Sequence, residues 1–363
     1  MEGGGTVKAE DNAMYYTREG NGSIDRRTFL MYSAILGVGM AFSGLMPVSE
    51  SVLFNRRMYK VSRARLAMGT FVAITVMHPS RGEAEDVIGK TFEEMDRASR
   101  LFDRYKSSSP IGMLNKEGYV SDLPPEVVKV ISRSLYFYKR SVGAFDITVK
   151  PIVDLYKEHF TAHKIPPANA DIARVINLVD ASAIQVTGNT LRFTKEGMGI
   201  TLDGIAKGYI VDRGMEVIKR HGIEHGLINA GGDLRTIGGK NRKTPWKVAI
   251  QDPDKEGPYL DTISMVTGAI ATSGSYEVYF DQEKLYHHIV NPKNGCSPHT
   301  STSVTVLAGN AMDADALATT VFVLGPEAGR KFVERMSGTE CLILRSDGRA
   351  VRSRDWPSVA REL

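Results

Sequence analysis

Residues 200–239 read ITLDGIAKGYIVDRGMEVIKRHGIEHGLINAGGDLRTIGG, and the fold turns on how this stretch is parsed. A short apolar strand is predicted to end in Asp203, and a Gly-Ile-Ala-Lys-Gly turn leads into a helix that reaches about Arg220. A buried strand, Gly226 to Asn229, follows and breaks at Gly231-Gly232-Asp233. Glycines on both sides of one helix let backbone approach a large ligand, and the helix N-terminus presents unpaired N–H groups to anionic oxygen. Lys207 places a cation inside the first turn. Asp203 offers a carboxylate suited to accepting a proton or helping to hold a hard metal ion. Phosphate is the natural guest of such a turn, although neither the Walker A nor the Rossmann glycine spacing occurs.

Working outward, 363 residues with 42% hydrophobic content are enough for one large or two medium domains with a sizeable core. A net charge of +4, made partly in the N-terminal region, gives no reason to expect a nucleic-acid partner. Cys296 and Cys341 lie too far apart for a metal knuckle, and both are expected to be buried, unpaired thiols. Residues 1–25 are polar and without periodicity. Arg26-Arg27 then precedes an apolar run, Met31 to Val48, that contains Gly37, Gly39 and Gly44. This pattern looks like a twin-arginine export signal, with a membrane anchor as the alternative because Thr28 to Val48 just reaches spanning length. The expectation is a periplasmic protein whose signal is either cleaved or retained as an anchor. Residues 1–50 form the N-terminus and signal, and residues 60–363 the folded domain.

Within that domain, Leu66 to Met77 is a predicted strand interrupted at Met68-Gly69-Thr70. Helices are expected over about Arg81 to Tyr105 and from Pro124 up to Gly143. Residues 154–180 read as a polar excursion with solvated His159 and His163, and Ile184 to Thr194 as a hairpin turning at Gly188-Asn189. Strands over Trp246 to Gln251 and Thr262 to Ile270 follow, the second delivering Ala271-Thr272-Ser273-Gly274. His287 and His288 are adjacent on a predicted strand and so point to opposite faces, His287 to the outer one. Asp315 and Thr319 are four apart near the start of a helix opening at Ala311, which puts both oxygens on one face. A carboxylate with a hydroxyl suits magnesium, which keeps waters and takes its other ligands from substrate phosphates. A final hairpin spans Cys341 to Val351.

LDGIAKGY (202–209) followed by NAGGD (229–233) resembles the flavin transferases of the ApbE family. The resemblance runs from about Leu66 to the end, with MGT (68–70), the segment around Tyr105, GAFD (143–146), ATSG (271–274), HHIVNP (287–292) and DADALAT (313–319) in order. It implies an α+β, T-fold-like architecture in which antiparallel sheets with flanking helices enclose an FAD cleft. The implied reaction is magnesium-dependent transfer of FMN from FAD to a Thr or Ser hydroxyl of an acceptor protein, with release of AMP. By resemblance the dinucleotide is contacted by Met68, Tyr105 (stacked on the flavin), Ala144, Phe145, Asp146, Lys207, Thr272 and Ser273. Asp146 has a plainer reading as a cap of the next turn. The metal is held by Gly204, Asp315 and Thr319, and His288 takes the proton. This chain has Thr201 where the family more often has aspartate, so either Thr201 or Asp203 makes the ligand contact at that point. Two other readings share these residues: an FAD pyrophosphatase, and a non-catalytic FAD-binding protein. Exported relatives act on exported flavin domains of membrane electron-transfer complexes, including those supporting nitrous oxide reduction, and an acceptor of that kind is expected here.

Overall fold

The computed structural model describes residues 48–55, 58–241, 244–253, 259–276, 279–281 and 286–358. The chain divides into two units, Met1–Met46 and Pro47–Leu363. The first, with Arg26-Arg27 and most of the apolar run, lies outside the described residues. Among those described, no helix is long and apolar enough to cross a membrane.

The second unit is built on one antiparallel sheet of nine strands. In spatial order these are β1 (Val48–Asn55), β2 (Met58–Ala67), β3 (Thr70–His78), β7 (Gly226–Ala230), β8 (Asp233–Ile237), β11 (Gly268–Gly274), β12 (Ser301–Ala308), β13 (Glu340–Arg345) and β14 (Ala350–Arg352). Two helices, α1 (Arg81–Phe102) and α6 (Ala206–Arg220), pack on it together with α7 (Ala311–Leu324). Their apolar faces share one core with the strands, including Ile74, Met95, Met215, Ile228, Val304 and Leu317. On β11, Ala269 and Ala271 face that core while Ile270 turns the other way, into a second cluster with Leu234, Ile263 and Trp356. That cluster is capped by a two-stranded sheet of β9 (Trp246–Ile250) and β10 (Asp261–Met265). Burial on both faces is why the central strands read as continuous apolar runs. A third sheet, in the order β4 (Tyr119–Val120), β6 (Thr190–Phe193), β5 (Ile184–Thr187), contains the expected hairpin. The architecture is thus α+β with antiparallel sheets and flanking helices.

Several elements differ from expectation. The stretch Met198 to Leu202 is buried but is not a strand. Its backbone polar groups go elsewhere: Asn115 Oδ1 accepts from Ile200 N (2.7 Å), Asn115 Nδ2 donates to Ile200 O (2.9 Å), and Thr201 N donates to Ile147 O (2.8 Å). Burial alone had imitated a strand. The predicted strand Thr262 to Ile270 is two strands in two sheets, separated by a turn at Val266 and Thr267. Residues 154–180 are no polar excursion, since α4 (Lys150–His163) and α5 (Asn169–Val175) bury Tyr156, Phe160 and Ile172 in a third cluster with Val290. His163 is exposed as expected, whereas His159 is half-buried. A short helix, α2 (Pro110–Glu117), was not anticipated, α3 (Pro125–Arg140) was, and α8 (Pro326–Val333) completes the set. The His287-His288 segment is a loop with one bridge, Tyr279 to His287, and not a strand. Cys341 is buried as expected, but Cys296 is exposed.

Candidate active site

One cleft gathers most of the residues singled out in the sequence, and it is built outward from α7. Asn310 caps this helix by accepting from Asp313 N at 2.8 Å. Asp315 and Thr319 follow one turn apart on the face turned to the cleft. Asp315 is only 5% exposed, and its Oδ2 accepts from Gly208 N at 3.0 Å. Glycine is required at 208, because a Cβ there would sit 2.2 Å from Ala311 O and 2.9 Å from Asp315 Cβ. The same holds at Gly204, where a Cβ would meet Thr319 Oγ1 at 2.8 Å. Ser273 Oγ stands 3.3 Å from Thr319 Oγ1, so β11 adds a second hydroxyl to the same corner. Thr272 also lines the cleft, and its hydroxyl is paired with that of Thr305 at 2.9 Å.

The turn before α6, which abuts this corner at Gly204, and the loop after α3 supply more of the lining. Lys207 lines the cleft with Nζ 3.5 Å from Asp233 Oδ1. Asp233 is delivered by the β7–β8 hairpin, whose Gly231 and Gly232 take φ values of 58° and 101°, which only glycine adopts readily. Thr201 and Asp203 both line the cleft: the Thr201 hydroxyl accepts from Asp203 N (3.3 Å), and Asp203 Oδ2 lies 3.1 Å from Arg104 Nη2. Ala144, Phe145 and Asp146 form a further wall. The Asp146 carboxylate is spent on shaping its own loop, since Oδ1 accepts from Thr148 N (2.8 Å) and Thr148 Oγ1 (2.5 Å) and Oδ2 from Ala181 N (3.1 Å). Burial pushes its pKa up. The remaining walls, Val149, Val153, Ile289, Val290, Pro292 and Val323, are apolar. With its open mouth included the cleft encloses about 760 Å³.

His288 lines the cleft and His287 does not. The two do diverge, but His287 does not reach an outer face. It is 1% exposed, with Nε2 2.9 Å from Pro298 O and its ring edge-on to Phe322 and His299. Desolvation holds its pKa down at about 4, so it is neutral near pH 7. The loop allows no strand-like alternation here, and the core takes the side chain that does not face the cleft.

Two expected contact residues stand outside the lining. Met68 occupies the β2–β3 turn with φ 54°, and the neighbouring Thr70 abuts Gly231. Tyr105 is 71% exposed, and its hydroxyl accepts from Arg104 Nη2 at 2.8 Å. Its link to the cleft runs through Arg104, whose buried guanidinium also holds Asp203. Arg104 and Asn115 were missed in the sequence. Neither carries a periodic or spacing signal, and each matters through a partner roughly a hundred residues away or nearly so.

The oxygen donors at the α7 corner, Asp315 carboxylate with the Thr319 and Ser273 hydroxyls, fit a hard divalent cation such as magnesium better than zinc. Among the described residues no group of three or more His, Cys, Asp or Glu side chains is arranged to hold a metal. A cation here would therefore complete its shell with water and substrate phosphate oxygens.

An oxygen-lined corner facing a lysine, a histidine and an apolar wall defines a site for a phosphate-bearing ligand with a large apolar part. Residues 68–343 match the ApbE family, and the chain belongs to that family. It is 26% identical over 315 residues to the FAD:protein FMN transferase of Treponema pallidum, covering 81% of this chain and 86% of that protein. To the FAD:protein FMN transferase of Escherichia coli K12 it is 29% identical over 280 residues, 74% of this chain and 79% of that one. Among solved structures, the ApbE protein of Thermotoga maritima superposes with a TM-score of 0.73 at 30% identity, covering 82% of this chain and 97% of that one. The flavin transferase ApbE of Vibrio cholerae has the same fold, with a TM-score of 0.71 at 24% identity over 85% and 98% of the two chains.

Proposed function

We propose that this protein transfers FMN from FAD to a Thr or Ser hydroxyl of an acceptor protein, releasing AMP, with magnesium as cofactor. The observation that carries the reading is the convergence of Asp315, Thr319, Ser273, Lys207 and His288 on one cleft, in a chain whose relatives are FAD:protein FMN transferases. Lys207, placed by Asp233, draws the pyrophosphate to the turn before α6. The apolar wall gives the flavin ring a surface to bury. His288 takes the proton of the incoming hydroxyl as its oxygen attacks the FMN phosphorus, the bond to the AMP phosphate breaks, and AMP leaves. Asp315, Thr319 and the Gly204 carbonyl would hold magnesium, which would supply neutralisation of phosphate charge.

Intact-mass measurement tests this reading on a candidate acceptor incubated with the protein, FAD and magnesium. The acceptor should gain the mass of FMN less one water, with stoichiometric AMP. Release of AMP and free FMN at one rate with and without acceptor would make the protein an FAD pyrophosphatase. FAD binding with neither product would make it a carrier.

We further propose export by the twin-arginine route, on the strength of Arg26-Arg27 before the apolar run, with an exported flavin domain of a membrane electron-transfer complex as acceptor. Changing both arginines to lysine should leave the protein in the cytoplasm. Unchanged amounts beyond the membrane in fractionated cells would refute the signal.

A further inference from the structure

The two helices that flank the cation corner exchange carboxylates. Asp212 lies one turn beyond Gly208 on α6, so the two share a face. Asp212 Oδ1 accepts from Ala311 N and Oδ2 from Met312 N, each at 2.9 Å. These are the first two amides of α7, which a helix cannot satisfy from within. In return, Asp315 of α7 accepts from Gly208 N, an orphan donor in the first turn of α6. Each helix thus takes the other's unpaired N–H groups at two points about one turn apart. Added to the core that the two helices share, two such points resist sliding and rotation of α7 against α6 more than one contact would.

This register is also the dimension of the cation corner. Asp315 and Thr319 ride on α7, while Gly204 and Lys207 belong to the turn that becomes α6. We propose that Asp212, which lies outside the cleft, is the positioning residue that sets the Asp315–Thr319 edge of the magnesium site. The inference rests on the metal reading above. Asp212 faces a separate cavity beside the start of α7, where Arg235 Nε lies 3.4 Å from its Oδ1 and Arg133 grips both oxygens of Asp313 at 2.7 Å. Asn310 accepts only from Asp313 N, whereas Asp212 takes the two amides before it, and because its carboxylate comes from another helix this cap also joins the two. What Asp212 adds is the tie to α6.

The test uses the full-length protein and manganese(II) as a magnesium substitute, with affinity read from the paramagnetic signal of the free ion, alone and with FAD. Asp212→Asn, which keeps the shape but presents an amide N–H to one of the two donors, and Asp212→Ala should weaken manganese binding about 10- to 100-fold, the usual cost of losing a group that orients a ligand. Asn310→Ala removes the cap internal to α7 and leaves the tie to α6. It should lower the thermal midpoint while manganese affinity stays near wild type. If Asp212→Ala does not fold, Asp212→Asn decides. Wild-type affinity in Asp212→Asn, or an equal loss in Asn310→Ala, overturns the positioning role. Asp315→Ala, run in parallel, separates the two levels: if it binds manganese as wild type does, the metal reading fails and the proposal with it. If it loses binding while the Asp212 variants keep theirs, the positioning role alone fails.

Discussion

Asp315→Ala is expected to lose flavin attachment by at least about 100-fold, since groups one shell further from a metal already cost 10- to 100-fold. The buried position of Asp315 adds a second effect that the sequence did not show. Its removal strips the Gly208 N–H of its acceptor inside the protein, which costs about 1–3 kcal/mol. A domain stable by about 5–15 kcal/mol survives that loss. Asp315→Asn separates the two, because it restores an acceptor for Gly208 while removing the charge that a cation needs. The expected pattern across a magnesium titration is near-normal unfolding and very low activity for the asparagine variant, with both properties reduced for alanine. Thr319→Ala should be milder, since water replaces a neutral hydroxyl ligand. Wild-type rates in Asp315→Ala at every magnesium concentration would remove the metal site.

His288→Ala should bind FAD with near-normal affinity yet attach FMN about 10²- to 10⁴-fold more slowly, the range for a lost general base. On the proposed reading the dinucleotide would keep other holds in the cleft, whose lining includes Lys207, the Ala144–Asp146 wall and the apolar surface. Single-turnover attachment followed by in-gel flavin fluorescence, with FAD affinity measured separately by quenching, distinguishes the two quantities. A rate defect explained wholly by lost FAD binding would end the base assignment. His287→Ala is not a silent control, because it empties a buried position and leaves Pro298 O without its donor. His287→Gln is the better comparison, as it keeps an N–H for that carbonyl. Its effect should fall on thermal stability and leave the attachment step close to wild type.

Much of this site was legible because its parts carry local signals. Glycines around Lys207, the four-residue spacing of Asp315 and Thr319, and adjacent histidines each mean something within a single turn of chain. The helices α1 and α3 announced themselves by the spacing of their apolar residues. What failed was of another kind. The buried run Met198 to Leu202 has the composition of a strand, but the Asn115 side chain of α2 and the Ile147 carbonyl stand in for a ladder. The split of Thr262 to Ile270 turns on two residues, Val266 and Thr267, neither of which is a typical turn former. The apolar stripe of α4 was hidden by histidines, lysines and prolines around it. The hold of Arg104 on Asp203 and that of Asp212 on the start of α7 each span about a hundred residues, so no window of sequence contains them.

The cleft walls come from residues 144–153, 201–207, 272–273, 288–292 and 315–323, five segments that meet only when β3, β7, β8, β11 and β12 stand in their order. On the proposed reading, FAD would therefore recognise the assembled sheet and no single one of these segments. By mass action, dinucleotide at about 100 times its dissociation constant deepens the native well by about 2.7 kcal/mol and leaves partly folded chains where they were. On the proposed reading, saturating FAD would therefore show itself as a higher thermal midpoint of the whole domain, a gain that no separated piece of the cleft could share.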